Sequence, residues 1–399
     1  AGAWAWHRSA GACACRGQRP AAWLVRGEKK EGTWLIARQR RQREKAAGIV
    51  EAAVTIAARY HADAYGFNHY GARNMKGWDA DSLCMVACAT KAPSGHNTQP
   101  WLFEVREGEI TIRPNFEKRL PVVDADDREL FISLGCAAEN LCIAASKLHY
   151  LSELAVADDG SIAIRLKRSE TLVADPLFDH IDQRQTNRSI YSGKEIPEDI
   201  LSHILQNFEN YQSHHIHAWP RTSKTFGMLA QHVADGNTVQ MNDAAFKAEL
   251  LSWIRFNRSH AERTGDGLSY AALEAPSLPA WISRPIVRAM LNSQKQNTSD
   301  GEKIRSSSHL ILLTSQENTQ PAWVETGRIL QRLLLHLTRA GLAHAYLNQP
   351  CEVPVLNHKL RAELLGNAEF AQILLRIGYG RQLPNSLRRP VQAVIQTCA

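Results

Sequence analysis

The chain of 399 residues lacks three features that would decide its class at once. No apolar run approaches the roughly 20 residues that a bilayer-spanning helix needs, so the sequence predicts no membrane protein. No Gly-x-Gly-x-x-Gly follows a predicted strand, which argues against a dinucleotide-binding Rossmann unit. Its 8 cysteines do not make a disulfide scaffold in a chain this long. We therefore expect a cytoplasmic setting in which free cysteines pack as small hydrophobes.

Metal-ligand patterns are also missing from the sequence. The 16 histidines are dispersed along the chain. His214, His215 and His217 lie on one predicted strand, yet no carboxylate stands beside them at ligand spacing. The sequence therefore predicts no metal site.

Positive charge is concentrated at the start of the chain. The formal net charge is +7, but residues 1–74 hold 13 Lys and Arg against 5 Asp and Glu, which leaves 34 basic and 35 acidic residues beyond them. The bulk of the chain thus gives no reason to expect a nucleic-acid partner. Two interpretations of residues 1–74 stay open: a non-native or disordered extension before a natural start at Met75, or a basic arm with an amphipathic helix over residues 45–60.

Beyond Met75 the pattern mixes long helices with hairpins, which favours an α+β fold. Helices are predicted over residues 79–92, 128–148, 178–187, 197–208, 225–259 and 321–340. Strands are predicted over residues 102–105, 109–113, 154–156, 161–166, 214–219, 309–314 and 370–377. Residues 275–300, rich in proline and polar side chains, are expected to form a mobile excursion or lid.

The most informative stretch is the loop over residues 92–101, Ala-Pro-Ser-Gly-His-Asn-Thr-Gln-Pro-Trp. Its two prolines fix φ and bias the preceding residues, Gln99 among them, toward extended backbone. Ser94, Asn97 and Gln99 offer a hydroxyl and two amides, which both donate and accept hydrogen bonds. Such a rigid, uncharged loop suits a polyol or a heterocycle edge. The alternative is a structural turn whose Asn and Ser cap backbone groups.

This loop resembles the flavin loop of the nitroreductase superfamily, and in particular that of its long, single-chain Acg-type branch. Four further strings resemble elements of the same family and occur in family order, over residues 124–141, 181–188, 323–328 and 375–390. Each string alone is weak, whereas five in the right order are specific.

The resemblance implies a fused pseudo-dimer. Ordinary nitroreductases are homodimers with FMN at the subunit interface, where one subunit supplies arginines and the other the Pro-Ser loop. Here Arg184 and Arg188 would open a C-terminal half over residues 175–399, while the loop lies in an N-terminal half over residues 75–174. One chain would therefore build one FMN site, with a lid near residues 275–300.

The resemblance assigns a cofactor-binding role to thirteen residues. Arg184, Arg388 and Arg389 would grip the phosphate with help from Thr186, and Arg188 would stabilise the reduced isoalloxazine. Ser94, Asn97 and Gln99 would hold the ribityl chain and ring edge, beside Pro93 and with His96 near the ring. Residues Leu347, Asn348 and Gln349 fall where the family approaches flavin N5. No catalytic residue is assigned, because the flavin carries the chemistry.

The implied function is an FMN-dependent oxidoreductase that takes hydride from NAD(P)H and passes it to a nitroaromatic, quinone or similar small-molecule acceptor. The alternative is a protein that stores or sequesters FMN with little turnover, its lid covering the flavin. Whether the fused unit forms a further homodimer stays open.

Overall fold

The computed structural model describes residues 79–396, so the predicted extension over residues 1–74 lies outside the described residues. Helix α1 (Ala80–Ala89) begins where an acidic side chain can cap it, because Asp79 accepts a hydrogen bond from the backbone N–H of Ser82 at 2.7 Å. This cap was expected from the sequence, and the helix ends three residues before the predicted end.

The first half of the fold is an antiparallel sheet with one long helix. Its elements are β1 (Trp101–Arg106), β2 (Glu109–Pro114), α2 (Arg128–Lys147), β3 (Tyr150–Val156) and β4 (Ile162–Arg168). The strands lie in the order β1-β2-β4-β3 and every neighbouring pair is antiparallel. Helix α2 is buried along most of its length, which agrees with the alanine-rich pattern that predicted a buried helix.

The second half begins with α3 (Glu198–Leu205) and β5 (His214–Pro220). A long insertion follows, made of α4 (Lys224–Asn242), α5 (Ala244–Trp253), β6 (Ile254–Arg255), α6 (Arg258–Thr264), β7 (Leu268–Ser269), α7 (Ala280–Met290) and α8 (Ser293–Arg305). The remaining elements are β8 (His309–Ser315), α9 (Gln320–Arg339), β9 (Ala343–Tyr346), α10 (Gln349–Glu352), α11 (Pro354–Leu364) and β10 (Phe370–Gly378).

The two halves share one topology. The second sheet runs β5-β8-β10-β9, again fully antiparallel. In each half a 20-residue helix, α2 or α9, connects the second strand of the sheet to the third along the chain. The strand that comes fourth in the chain then inserts between those two strands in both sheets. The chain is thus an α+β fold of two related halves, as the sequence predicts.

Helices α2 and α9 cross at a pair of glycines with two-fold symmetry. A Cβ on Gly135 would lie 2.0 Å from the carbonyl oxygen of Val324, and a Cβ on Gly327 would lie 2.0 Å from that of Ile132. Each glycine therefore meets the residue three positions before the other glycine. Because only glycine allows the backbones this close, the crossing fixes how the two halves pack.

One hydrophobic core extends across both halves. It joins Phe103, Leu134 and Leu141 of the first half to Leu333 and Leu375 of the second. Among the described residues α2 is the one helix that is long and apolar enough to cross a membrane, yet 89% of that window is buried inside the fold. A core helix accounts for its composition.

The C-terminal tail returns to the first half. The backbone N–H of Phe103 donates to Val394 at 2.7 Å, and that of Gln396 donates to Phe103 at 2.8 Å, so the tail adds a parallel bridge at the free edge of β1. The end of the second half thus pairs with a strand of the first half.

Two expectations about secondary structure are wrong. Residues 178–187 were expected to form a helix, but a short 3-10 helix covers Pro176–His180, a turn follows over residues 181–183, and only then does the chain extend. Asn187 donates its backbone N–H to His344 at 2.8 Å and Thr186 forms a parallel bridge with the same residue, so pairing beside β9 overrides helix propensity. The segment 275–300 is also more regular than expected, because α7 and most of α8 occupy it.

Candidate functional site

A cavity of about 480 Å³ is built from both halves of the fold. Its walls come from the loop after α1, the start of α2, the segment around Arg184, the residues after β9, the insertion and the C-terminal tail. Small-molecule sites commonly have volumes of roughly 300–1,000 Å³. The cavity therefore has the size of a cofactor or substrate pocket, and it stands where the pseudo-dimer prediction puts one.

Ten of the thirteen predicted site residues line this cavity: Pro93, Ser94, His96, Asn97, Arg184, Thr186, Arg188, Asn348, Gln349 and Arg388. The other three, Gln99, Leu347 and Arg389, do not line the cavity. Leu347 packs in the core of the second half. Its backbone N–H donates to Leu374 at 2.8 Å.

The loop that carries the motif has an unusual backbone. His96, Asn97 and Gln99 have φ of 48°, 57° and 55°, in the left-handed region that side chains rarely adopt. Gln99 was expected to be extended because it precedes a proline, and this expectation is wrong. Strained backbone of this kind persists where surrounding contacts hold it, and it is common at binding sites.

Amide side chains supply those contacts. Asn97 Nδ2 donates to the carbonyls of Gly267 at 3.0 Å and Leu387 at 3.1 Å. Gln99 Nε2 donates to Gly265 at 2.9 Å, and its Oε1 accepts the backbone N–H of Arg389 at 2.9 Å. These amides were expected to face a ligand, but the protein uses them to tie the loop to the insertion and the tail.

Arg388 fastens the same loop from the other side. Its Nε donates to the carbonyl of Thr90 at 2.7 Å, and its Nη2 reaches those of Lys91 and Ala92, both at 3.1 Å. Its Nη1 donates to Asn97 Oδ1 at 2.9 Å. Arg388 thus lines the cavity with its donors already engaged, which makes it a support of the loop as well as a source of positive charge.

Arg184 is buried without a counter-ion. Its Nη2 donates to the carbonyl of Lys91 at 2.8 Å, whereas its Nε and Nη1 are buried with no hydrogen-bond partner. Burial lowers its pKa, and the acidic groups that act on it are Tyr346 and Cys136, whose own pKa values burial raises. Burial together with Arg184 also lowers the pKa of Arg388 to about 9.

A second arginine, Arg188, and a neutral histidine, His96, line the same cavity. The guanidinium of Arg188 makes no hydrogen bond or ion pair to any residue between 79 and 396, and burial lowers its pKa. Burial and the charge of Arg188 lower the pKa of His96 to about 4, so its imidazole is neutral at pH 7. Its Nε2 is buried without a partner. This part of the cavity therefore has buried nitrogens without a hydrogen-bond partner, and its arginines make it positively charged.

Carboxyl groups line another part of the cavity. Glu129 accepts a hydrogen bond from Asn348 Nδ2 at 2.9 Å, and Glu352 accepts one from Gln240 Nε2 at 2.5 Å. Burial, reinforced by the charge of Glu129, raises the pKa of Glu352 well above its ordinary value. Burial and Glu129 likewise raise the pKa of Asp124 to about 6. Glu352 on the cavity wall therefore keeps its proton to a higher pH than an exposed glutamate does.

The raised pKa of Glu352 predicts a pH-dependent stability. In the unfolded chain this carboxyl ionises near its ordinary pKa of 4.5, whereas burial in the folded chain delays its ionisation to a higher pH. Its contribution to the free energy of unfolding is complete below pH 4.5 and is lost as pH rises toward the folded pKa, by about 1.4 kcal/mol for each unit between the two values. Glu352→Gln should gain stability relative to wild type when urea unfolding is moved from pH 4 to pH 8. An equal difference at both values would contradict it.

Sequence reasoning missed the contribution of the insertion. Met241, Phe246, Leu250 and Leu268 give the cavity apolar wall, although no motif marks them. Of the predicted lid over residues 275–300, Gln296 is the one described residue that lines the cavity. The residues of the insertion that line the cavity thus come mainly from α4 and α5, and the lid over residues 275–300 stays a prediction.

The carboxyl wall was missed for a different reason. Glu129 lies inside the string over residues 124–141, but a surface charge is the ordinary reading of a lone glutamate. Glu352 lies in no motif at all. It reaches the cavity only through the tertiary fold, as the last residue of α10, the short helix after β9.

Comparison with known proteins gives relatives over about four-fifths of the chain. A protein of Mycobacterium tuberculosis H37Rv named "Putative NAD(P)H nitroreductase Rv3131" is 25% identical over 332 residues, which cover 80% of this chain and 92% of that protein. Another from the same strain, "Putative NAD(P)H nitroreductase acg", is 22% identical over 330 residues, 79% of this chain and 95% of its own length. No family model matches the chain.

Solved structures give weaker likenesses. The FMN-dependent nitroreductase NfnB from Mycobacterium smegmatis, in complex with NADPH, is 16% identical with a TM-score of 0.33, over 50% of this chain and 85% of that one. The FMN and NADPH-dependent nitroreductase NfnB from Sphigopyxis sp. strain HMH is 14% identical with a TM-score of 0.36, over 56% and 100%. The assignment of two related halves therefore rests on the repeated topology of the chain itself. The sequence relatives confirm what the five motifs predict: the chain resembles the Acg-type, single-chain branch of the nitroreductase superfamily.

Proposed function

We propose that the protein is an FMN-dependent oxidoreductase that uses NAD(P)H to reduce a nitroaromatic, quinone or similar small molecule in the cytoplasm. The observation that carries the proposal is Arg184, a buried cation on the wall of a cavity that both halves build, with two nitrogens, Nε and Nη1, that have no hydrogen-bond partner. An anion is what such a group lacks, and FMN ends in a dianionic phosphate.

The donor set of the cavity fits the rest of the same cofactor. Arg188 would add positive charge where a reduced flavin is anionic, and neutral His96 would offer a ring nitrogen to a heterocycle edge. Ser94 and Thr186 would offer hydroxyls to the ribityl chain or phosphate. Bound FMN would accept hydride from the nicotinamide and pass it on to the acceptor.

The remaining walls would control access. Phe246 and Leu250 of α5 would exclude water and lie against a flat, apolar acceptor, while Glu352 would hold a proton inside the cavity. Arg388 would keep the loop in its strained backbone, through its bonds to Thr90 and Asn97. These residues orient and enclose, so the proposal needs no protein nucleophile.

FMN storage with little turnover is the second candidate. The observation that favours it is the insertion, since Met241, Phe246 and Leu250 cover the cavity with apolar side chains. A nicotinamide would have to enter past this cover. The two candidates share the flavin site and differ in whether an electron donor reaches it.

One experiment separates them. The full chain is purified, its visible spectrum recorded, and NADPH and then NADH added without oxygen, followed by a quinone or a nitroaromatic. We expect yellow flavin bands that bleach with the nucleotide and return with the acceptor. Bands that stay oxidised would support storage. A colourless protein that also fails to take up added FMN would contradict both candidates.

A further inference from the structure

A second cluster of polar side chains lies at the edge strand β5 of the second sheet, on the face opposite α9 and apart from the cavity. His215 and His217 alternate along β5 and so point to the same face. In the register of the sheet, His215 pairs with Thr314 of β8, and Thr314 pairs with Ala371 of β10. Glu369, two residues before Ala371, thereby joins the two imidazoles. None of the three lines the cavity.

The three side chains converge closely. His215 Nδ1 lies 3.0 Å from Glu369 Oε1, and His217 Nε2 lies 2.9 Å from Glu369 Oε2. All the ligand atoms lie within 4.8 Å of one another. Ligands around a tetrahedral zinc ion, with bonds of roughly 2.0–2.1 Å, stand about 3.3 Å apart. The cluster thus has nearly the spacing of a metal site before any rearrangement.

Two ordinary histidine–carboxylate hydrogen bonds would be the simpler explanation. His217 does make such a bond to Glu369. His215 does not: its Nδ1 is buried and has no hydrogen-bond partner, although Glu369 Oε1 is only 3.0 Å away. The contact between Nδ1 and Oε1 is therefore close but not directed as a hydrogen bond, and a shared ion is one centre that would satisfy both atoms.

Neighbouring groups hold the cluster in place. Thr314 Oγ1 donates to Glu369 Oε2, which fixes the orientation of the carboxylate. The ring of His217 stacks on Trp219 with centroids 5.7 Å apart and planes 11° apart. The His215 and His217 side chains keep 40% and 32% exposure, so the cluster stands near the protein surface although His215 Nδ1 itself is buried. Oriented ligands of this kind are typical of metal sites.

We propose that His215, His217 and Glu369 form a binding site for a divalent transition-metal ion of the zinc class. Two imidazoles and one carboxylate are a ligand set that zinc takes in proteins, with a fourth position left to water. The site stands on the sheet face away from α9, because the neighbouring His214 contacts Ala322 and Thr326 of that helix. Metal binding there is independent of the flavin site.

The test is a titration of the untagged, metal-free full chain with Zn²⁺ alone by calorimetry. Wild type should show a binding event that Glu369→Gln and His217→Gln each weaken by about 100-fold or more, since even residues that only support a ligand cost 10–100-fold in affinity. The matched control is Glu363→Gln, which removes a carboxylate 3.0 Å from a single imidazole, His232, and should leave the binding unchanged.

A second, spectroscopic measurement distinguishes the loss of a metal ligand from a loss of folding. With Cu²⁺ as probe, electron paramagnetic resonance of wild type should show coupling to two imidazole nitrogens, and that of His217→Gln coupling to one. Zn²⁺ affinity that is the same in wild type and in all three variants would place the ion elsewhere and overturn the proposal. Absence of any Zn²⁺ binding in wild type would also overturn it.

Discussion

Arg184→Met is expected to abolish flavin binding while leaving the flavin-free protein folded. In wild type, Nε and Nη1 of this side chain are buried without a partner on the cavity wall. Hydrogen bonds between a charged donor and a phosphate contribute about 1.5–3 kcal/mol each. Losing two should weaken FMN binding by roughly 100-fold or more, so that the variant purifies colourless.

The same substitution separates binding from folding. Without an anion, the guanidinium is a buried charge whose pKa burial lowers, so the empty site is destabilised by it. Methionine removes that charge and keeps most of the volume. The flavin-free variant should therefore be at least as stable to urea as flavin-free wild type, despite the lost bond to Lys91.

The measurements are fluorescence titration with FMN and urea unfolding of both flavin-free proteins. The matched control is Arg165→Met on β4, whose side chain is 74% exposed and should change neither quantity. If the Arg184 variant binds FMN as tightly as wild type, the phosphate role is wrong. If it fails to fold without flavin, its contact with the loop matters more than its charge.

Ten of the thirteen residues that the motifs single out line one cavity, and there is a physical reason for this. The Pro-Ser loop and the Arg184–Arg188 segment carry their information in short strings, where backbone rigidity and donor type are encoded locally. What those side chains contact is not local. Asn97 and Gln99 have the right chemistry for a ligand, yet Gly265, Gly267 and the tail compete for their amides.

Residues that distant strands bring together were not predicted to form one cluster. His215 and His217 were visible as an alternating pair, but Glu369 follows His217 by 152 residues and reaches it only through the register of three strands. The apolar cover of the cavity was hidden in the same way. Phe246 looks like any buried aromatic in a helix until the insertion is folded over the site.

The repeated topology was predicted from the order of the motifs, yet the feature that packs the halves together was not. Gly135 and Gly327 lie in helices whose other residues form ordinary apolar patterns, where an isolated glycine reads as a weak point of the helix. The two glycines have the same role in the structure. Both allow a backbone carbonyl of the opposite helix to approach within a distance that excludes a side chain.

Gly135→Ala and Gly327→Ala are accordingly expected to have the largest effects on stability. Each adds one methyl group 2.0 Å from a backbone oxygen of the opposite helix, which no rotamer change can relieve. Overpacking of a core costs about 1–3 kcal/mol and more where backbone must move, so each variant should lose about 3 kcal/mol in urea unfolding. The control is Gly227→Ala in α4, where a Cβ meets nothing within 4 Å and alanine should gain about 0.5–1 kcal/mol.

The two crossing helices also supply residues to the proposed FMN site. Disrupting the crossing should therefore weaken FMN binding. Ile132 and Cys136 of α2 and Leu330 of α9 line the cavity. If the helices separate to admit the new methyl groups, the arginines of one half move away from the loop of the other. Both crossing variants should then lose FMN affinity together with stability, while Gly227→Ala keeps both. A Gly135→Ala variant that unfolds at the same urea concentration as wild type would show that the backbones do not meet at this crossing.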